Sequence, residues 1–216
     1  IRNAYEGEGF ETLDSQSIKL TSKDLVISDD KKALCLAGVM GGVNCRVNHD
    51  TKNVFLESAF FTPTSIRKTS KYHGINSDSS YRFERGVDFE NCEYALRRAA
   101  LLIKEITGCY IGEEVGFVSS NLVVKEVTFH FDYCFNILGH EIPRKTIVEI
   151  LVGLGFKVNS INDDMCQLTI PAFRADVYRE VDVVEEVLRI YGYDNLPAEK
   201  YIKFQPSFDL KSNQYE

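Results

Sequence analysis

Four short apolar segments separated by turn-forming residues occupy most of residues 18–58, and this alternation constrains the fold more than any other feature. The intervening stretches SDDKK, MGGVN and HDTK are rich in the Ser, Asp, Asn and Gly residues that favour turns. Apolar segments this short are typical of strands, so the first part of the chain is predicted to form a sheet. The predicted strands are SIKL (17–20), DLVIS (24–28), ALCLAGV (33–39) and NVFLES (53–58).

Helical signals follow the predicted sheet. Thr62 suits an N-cap, Pro63 suits the first helical position, and Gly74 suits a C-cap. From Asp88 onward, apolar residues recur at intervals of three and four, which predicts an amphipathic helix over 88–107 closed by a glycine at 108. The apolar positions of that helix are Ala95, Leu96, Ala99, Leu102, Ile103 and Ile106.

The second half has the pattern of a small separate domain. A strand, a short helix, a helix opened by Pro143, a hairpin and a final acidic helix follow a polar break at 119–121. This order of elements favours a small, winged-helix-like α+β domain. We therefore predict an α+β chain with a first domain over 1–119, a small domain over 120–198 and a linker over 199–216.

Charge and cysteine usage narrow the function classes. The chain has 216 residues and a net charge of −7, which argues against a stand-alone nucleic-acid binder. The six cysteines have no CxxC or CxxH spacing, so reduced thiols in a cytosolic protein are predicted. No apolar run approaches the roughly 20 residues of a membrane span. The first residues, IRNAYEGEGF, do not resemble a signal peptide, and the missing initiator Met suggests an excised piece.

The acidic helix within FRADVYREVDVVEEVLRIYGYDNLP (173–197) permits two interpretations. At helical spacing, Asp182, Glu185 and Glu186 share one face, and an apolar set is predicted to pack on the opposite face. In the first interpretation the acids form a solvated face, paired in part with Arg179 and Arg189. The predicted apolar set is Val181, Val184, Leu188 and Tyr191.

The second interpretation of this helix is a site for a hard divalent cation, Mg²⁺ or Ca²⁺. Such ions prefer clustered carboxylate oxygens, and Asp176, just before the helix, is able to bend back toward the same face. Spacing alone leaves both interpretations open.

Two features of the first half are candidates for a binding pocket. The turn AGVMGGVN (37–44) contains Gly41 in a Gly pair that permits close approach of a ligand, although a plain hairpin turn is the simpler interpretation. Glu57 lies in a predicted strand on the same side as Phe55 and Ala59. An acid on an apolar face needs a hydrogen-bond partner or a wet cavity, unless the strand lies at an exposed edge.

The loop HGINSDSSYRFERGVD (73–88) carries Ser77 and Ser79 and follows a basic stretch that contains Arg67, Lys68 and Lys71. Positive charge interleaved with tyrosines is suited to a phosphate backbone and to base stacking. The arginines of the loop are equally able to pair internally with its acids. No GxSxG elbow surrounds any serine, which disfavours a Ser-His-Asp hydrolase.

Three long motifs resemble the β subunit of bacterial phenylalanyl-tRNA synthetase, in the same order and through nearly the whole chain. They are LAGVMGGVN, NVFLESAFFTPTSIRKTSKYHGINSDSSYRFERGVD and the acidic segment FRADVYREVDVVEEVLRIYGYDNLP. The resemblance implies a fragment with the C-terminal part of a mixed α/β tRNA-editing domain and the small domain that follows it.

The resemblance also implies an activity. The family enzyme joins phenylalanine to its tRNA with ATP and Mg²⁺, in a cytoplasmic α2β2 tetramer whose α subunit carries the synthetic site. Its β subunit edits tyrosine wrongly attached to that tRNA. Neither DNA nor a membrane is an implied partner. The alternative is a non-catalytic scaffold that contacts the α subunit or tRNA.

Site residues follow from the same resemblance. Glu57 corresponds to the acceptor for the tyrosine hydroxyl, and Gly41 to a pocket position where a side chain would obstruct the ligand. Ser77 and Ser79 lie where relatives more often carry Thr and Ala. No catalytic residue is implied within the fragment, since the family's His and Asn lie upstream of Ile1, so little deacylase activity is expected of the fragment alone.

The acidic segment matches the family's Mg²⁺ ligands, in a site shared with the α subunit. Without that subunit we expect weak occupancy or none. The corresponding residues are Asp176, Asp182, Glu185 and Glu186, and Glu180 is not among them.

Overall fold

The computed structural model describes residues 1–119 and 124–197 and divides the chain into two compact units. The first unit comprises Ile1–Val127 together with Thr169–Tyr178, and the second comprises Thr128–Leu168 with the described residues from Arg179 onward. The return of Thr169–Tyr178 to the first unit has no counterpart in the sequence pattern. The predicted boundary at 119/120 and the predicted linker over 199–216 lie at or outside the described residues.

Helices and strands occur in both units, which confirms the predicted α+β class. No helix in the described part of the chain is long and apolar enough to cross a membrane. The strands are β1 (Arg2–Asn3), β2 (Gly9–Glu11), β3 (Ser17–Lys19), β4 (Leu25–Ser28), β5 (Ala33–Leu36), β6 (Met40–Gly41), β7 (Glu126–His130), β8 (Lys157–Ile161) and β9 (Met165–Thr169). The α-helices are α1 (Pro63–His73), α2 (Asp78–Phe83), α3 (Cys92–Thr107), α4 (Phe131–Leu138), α5 (Arg144–Gly153) and α6 (Glu180–Tyr191).

Two small antiparallel sheets build the first unit. One has the order β1-β4-β5-β6, and the other pairs β2 with β3. Three of the four predicted strands are therefore present. Their apolar side chains form one core with α1, and the cross-strand partners Val26 and Leu36 are both completely buried in it.

The fourth predicted strand, over 53–58, is wrong: this segment has neither strand nor helix. Phe55, which was predicted to share one side of the strand with Glu57, is 93% exposed. The nearby edge strand of the sheet, β6, has only two residues and offers too short a ladder to pair with the segment. The composition of the 53–58 segment suits a strand, but a strand forms only beside a neighbouring strand with which it can hydrogen-bond.

Helix α1 has the ends that its sequence predicts. Thr62 is the N-cap residue, Pro63 opens the helix, and Gly74 closes it with φ +66°. Three residues of one face, Ile66, Thr69 and Ser70, are buried. The left-handed conformation at the C-cap favours glycine because it has no Cβ.

A buried polar network joins α1 to the sheet. Nε2 of His73 lies 2.7 Å from Oδ2 of Asp24, and the Thr69 hydroxyl donates to the other carboxylate oxygen at 2.9 Å. The backbone N–H of Thr21 also donates to Asp24, at 2.8 Å. The side chains of His73 and Asp24 are almost completely buried, at 4% and 3% exposed. Burial by itself raises the pKa of Asp24, but these hydrogen bonds outweigh burial and lower it.

Helix α3 begins later than predicted, at Cys92 rather than near Asp88, and ends as predicted before Gly108. The carboxylate of Asp88 instead accepts the backbone N–H of Glu90 at 3.0 Å, a local turn that competes with helix formation. No residue of α3 is buried, and Ile106 is 81% exposed. The apolar stripe of the predicted amphipathic helix is therefore present but not covered by the described residues.

The second unit follows the predicted order of strand, helix, helix, hairpin and helix. Its three strands have the order β7-β9-β8, and Pro143 is the N-cap residue of α5. Phe129 and Phe131 are fully buried with ring centroids 5.8 Å apart. The comparison with a winged helix stays a prediction.

The buried face of α6 differs from the prediction. Val183, Val184 and Val187 are buried, whereas Val181 of the predicted apolar set is exposed. Glu186, predicted to point outward, is only 4% exposed. Its burial is possible because Arg189 donates to it from Nε at 2.9 Å, so that the carboxylate is paired as it leaves water.

Candidate functional site

A pocket of about 540 Å³ lies in the first unit and is lined by residues of the glycine turn, the 57–61 segment and α2. Its wall is mainly apolar, with a few polar side chains among the apolar ones. This composition is typical of small-molecule sites. Its apolar residues include Leu13, Val39, Met40, Ala59, Phe61 and Phe83. All four predicted pocket residues also line it: Gly41, Glu57, Ser77 and Ser79.

The glycine turn is a hairpin connection between β5 and β6, as its simpler interpretation predicts, and it also forms part of the pocket wall. A Cβ on Gly41 would lie 2.9 Å from Cδ1 of Leu13, the mobile end of an exposed side chain. A Cβ on Gly42 would lie 2.6 Å from the backbone oxygen of Leu34, which is much harder to move. Added bulk at Gly41 thus meets a pocket-lining side chain rather than backbone.

The two serines hold the glycine turn in place. The Ser77 hydroxyl donates to the carbonyl of Val39 at 2.5 Å, and the Ser79 hydroxyl donates to the carbonyl of Gly38 at 3.0 Å. Ser77 also caps α2, where its oxygen accepts the backbone N–H of Ser80 at 3.0 Å. Both hydroxyl protons are therefore committed to the protein backbone, and we assign these residues a positioning role in the pocket wall.

Glu57 is the acidic group that reaches the pocket from the 57–61 segment. It is exposed as a whole residue, yet crowding by protein atoms raises the pKa of its carboxyl. No hydrogen bond from the described residues reaches its carboxylate. The pocket therefore contains a partly desolvated acceptor without a protein donor.

Cys35 is a pocket residue that sequence reasoning missed. Burial, with the nearby Glu57 and Cys45, raises the pKa of its thiol to about 12, so the thiol is neutral near pH 7 and is not an activated nucleophile. Its Sγ lies 3.5 Å from the carbonyl oxygen of Met40. The sequence offers no signal for this position, because ALCL is apolar throughout and Ala33 and Ala37, two residues away on either side, are both in the core.

The predicted metal ligands of the acidic segment are mostly paired with arginines. Arg174 Nη2 lies 2.7 Å from a carboxylate oxygen of Asp176, and Arg179 Nη2 lies 2.8 Å from one of Asp182. Glu186 pairs with Arg189 as described above, whereas Glu185 is exposed. The predicted pairs of Arg179 and Arg189 are thus present, with Glu186 rather than Glu185 as the partner of Arg189.

The four predicted ligands belong to different units. Asp176 belongs to the first unit, and the other three belong to the second. Within 1–119 and 124–197, no group of three or more His, Cys, Asp or Glu side chains is arranged to hold a metal ion. The Mg²⁺ ligand set of the acidic segment stays a prediction, and this ion enters no step of the function proposed below.

Both halves of the chain match known protein domain families. Residues 1–108 match the B3/4 domain family, and residues 127–193 match the tRNA synthetase B5 domain family. The phenylalanine–tRNA ligase beta subunit of Porphyromonas gingivalis is 40% identical over 204 residues, which are 94% of this chain and 25% of that protein. The beta subunit of Geobacter metallireducens is 41% identical over 199 residues, 92% of this chain and 25% of that protein.

Among solved structures, an N-terminal fragment of the phenylalanyl-tRNA synthetase beta subunit from Pyrococcus horikoshii is similar, with a TM-score of 0.43 and 18% identity. The match covers 88% of this chain and 55% of that one. The chain spans about a quarter of the length of the curated relatives it matches. It carries a B3/4 domain followed by a B5 domain and belongs to the phenylalanine–tRNA ligase beta-subunit family.

Proposed function

We propose that the pocket of the first unit is the amino-acid-binding wall of an editing site, which releases tyrosine wrongly attached to tRNA. The observation that supports this proposal is Glu57, a carboxylate without a donor in a mainly apolar pocket. The phenol O–H of tyrosine donates to it, and the apolar wall contacts the ring. Phenylalanine offers the ring but not the donor.

A hydroxyl-requiring pocket has a physical reason in this family of ligases. A mainly apolar synthetic site rejects a substrate that merely adds a hydroxyl by only about 100-fold. A second site that hydrogen-bonds the same hydroxyl discriminates in the opposite direction, by about 10⁴- to 10⁵-fold in favourable cases. The two sites in series therefore separate phenylalanine from tyrosine more completely than either does by itself.

The described pocket residues serve recognition rather than bond cleavage. The hydroxyls of Ser77 and Ser79 are engaged with backbone carbonyls, and the Cys35 thiol is neutral. Hydrolysis requires water to add to the ester carbonyl and a proton to reach the departing ribose oxygen. The chain binds and orients the tyrosyl group for that step, and we assign no catalytic residue to it.

The rest of the assembly belongs to the same proposal. We infer that the chain is part of a beta subunit that joins an alpha subunit in an α2β2 cytoplasmic enzyme. That enzyme attaches phenylalanine to tRNA with ATP, in a synthetic site carried by the alpha subunit. The relatives support a ligase subunit by their names.

The alternative function is a scaffold that contacts other chains and binds no amino acid. One observation favours it: α3 has no buried residue, and Leu101 and Ile106 on its surface are exposed. Uncovered apolar side chains of this kind mark interaction surfaces. The two functions are compatible within one enzyme. They differ in the expected effect of an obstructed pocket on tyrosyl-tRNA hydrolysis.

Substituting Gly41→Leu in the complete enzyme tests the editing proposal. The new side chain displaces Leu13 of the pocket wall, so tyrosyl-tRNA hydrolysis is expected to fall at least tenfold, by loss of a positioned substrate. Phenylalanylation of tRNA should not change. Gly9→Leu is the matched control, since a Cβ there meets nothing within 4 Å. If Gly41→Leu hydrolyses tyrosyl-tRNA at the rate of the control, the scaffold interpretation replaces the editing site.

A further inference from the structure

Helix α1 presents a basic outward face opposite its buried face. Arg67, Lys68 and Lys71 are exposed, and Tyr72 beside them is 70% exposed. At 100° per residue these four positions share one side of the helix. We call the four residues the basic face. The helix therefore has a core-facing side that fixes its place and an outward side that carries three cations and one aromatic ring.

The positive charge of this face is unusual in an acidic chain. Residues 62–87 contain five Lys and Arg but two Asp and Glu, whereas the chain as a whole carries −7. Within the described residues, no hydrogen bond or ion pair engages the side chains of Arg67, Lys68 or Lys71. Arg85, by contrast, is held by Glu84 at 2.8 Å and stacks over Tyr81. The cations of the basic face are therefore available to an external anion.

The basic face adjoins the pocket along the chain and through the core. Helix α1 ends at Gly74, and Ser77, three residues later, already lines the pocket. On the inner side of α1, Ile66 packs against the glycine turn, where a Cβ on Gly38 would lie 2.9 Å from its Cδ1. A ligand bound along the outer side of α1 thus lies about one helix diameter (~10 Å) from the glycine turn of the pocket wall.

We propose that the basic face binds the phosphate backbone of the RNA strand whose aminoacyl end enters the pocket, with Tyr72 as a stacking surface for a base. This inference rests on the proposed function and adds the route by which the substrate is held. Phosphate contacts fix the register of a strand without reading its sequence, which suits a site that must present one terminal ester. Combined cationic and aromatic side chains are the usual means of holding single-stranded nucleic acid.

An acidic protein segment is a weaker match to this surface. It would satisfy the three cations but would leave the Tyr72 ring unused, and it would have no relation to the neighbouring pocket. An RNA strand accounts for the cations, the aromatic ring and the location together.

The test uses a labelled RNA acceptor-stem minihelix with a single-stranded 3′ end. Its binding to the complete enzyme is measured by fluorescence anisotropy over a range of salt concentrations. For the triple variant Arg67→Ala, Lys68→Ala, Lys71→Ala we expect Kd to rise about tenfold or more. The slope of log Kobs against log salt should decrease in magnitude by about 2, since three single-strand contacts contribute ~0.7 each. Tyr72→Ala should weaken binding about tenfold with an unchanged slope.

A matched triple variant at exposed lysines elsewhere in the first unit, Lys23→Ala, Lys31→Ala, Lys32→Ala, is the control and should bind as the unsubstituted enzyme does. The inference is overturned if the α1 triple variant keeps the original Kd and slope, or if the control loses as much affinity. The readout does not depend on hydrolysis. The two proposals fail in different ways. If Gly41→Leu leaves editing intact while the α1 triple variant loses minihelix binding, the proposed function is refuted and RNA binding by the basic face is not.

Discussion

Replacing Glu57 with Ala in the complete enzyme is expected to slow the hydrolysis of tyrosyl-tRNA by about 10- to 100-fold. The substitution removes the acceptor for the phenol O–H, and hydrogen bonds to charged groups contribute roughly 1.5–3 kcal/mol. Mischarged tyrosyl-tRNA should then accumulate during aminoacylation. The measurement is the single-turnover rate of deacylation of purified tyrosyl-tRNA.

Phenylalanylation of tRNA is the internal control for this variant, because Glu57 has no role in the proposed synthetic site. Asp50→Ala provides a matched acid-to-alanine change at an exposed position outside the pocket. Tyrosyl-tRNA clearance at the original rate in Glu57→Ala would remove this residue from editing. The fold should be little affected, since no hydrogen bond from the described residues reaches the Glu57 carboxylate.

The second large effect concerns stability. Asp24→Ala is expected to destabilise the first unit by about 3–5 kcal/mol, because it leaves buried His73 and Thr69 without their acceptor. The melting temperature of that unit should fall by roughly 6–20 °C, at ~2–4 °C per kcal/mol for a protein of this size. Scanning calorimetry measures the shift, and Asp30→Ala at an exposed turn position is the control.

Low pH distinguishes the contribution of the Asp24 charge to stability from the contribution of its packing. Because the folded protein lowers the pKa of this carboxyl below 3.8, its ionised contribution is complete above that pH and is lost as the pH falls through the lowered value. The difference in free energy of unfolding between the original chain and Asp24→Ala should therefore shrink below about pH 4. A difference that is constant down to pH 2 would show that the network stabilises through packing alone.

Local sequence signals predicted both ends of α1, the C-terminal end of α3 and most of the strands. Pro63 and Gly74 define α1 through backbone constraints that act within one or two residues. The glycine turn is a hairpin connection for the same reason. Such features depend on the fixed φ of proline and on the missing Cβ of glycine, and both follow directly from the residue type.

Features that depend on distant partners were predicted less well. The 53–58 segment has strand composition but no strand beside it, and the burial of Glu186 depends on a fork from Arg189. The network of Asp24 and His73 joins residues 49 positions apart. No periodicity reports these contacts, because each arises from how separate elements pack.

The candidate site was predicted in part. Resemblance to the family named Gly41, Glu57, Ser77 and Ser79 from separate motifs, and the fold brings them to one pocket. It did not indicate that the serine hydroxyls would be engaged with the carbonyls of the glycine turn, nor that Cys35 would join the wall. The resemblance-based Mg²⁺ ligands of the acidic segment stay a prediction, with arginine pairs in the described structure.

The central claim is that the pocket selects for a phenol hydroxyl through Glu57. The most direct measurement compares the single-turnover hydrolysis of tyrosyl-tRNA and phenylalanyl-tRNA by the complete enzyme, with and without Glu57→Ala. We expect the unsubstituted enzyme to hydrolyse tyrosyl-tRNA at least 100-fold faster, and the variant to lose most of this ratio. Equal rates for the two substrates in the unsubstituted enzyme, or a ratio that survives the substitution, would contradict the claim.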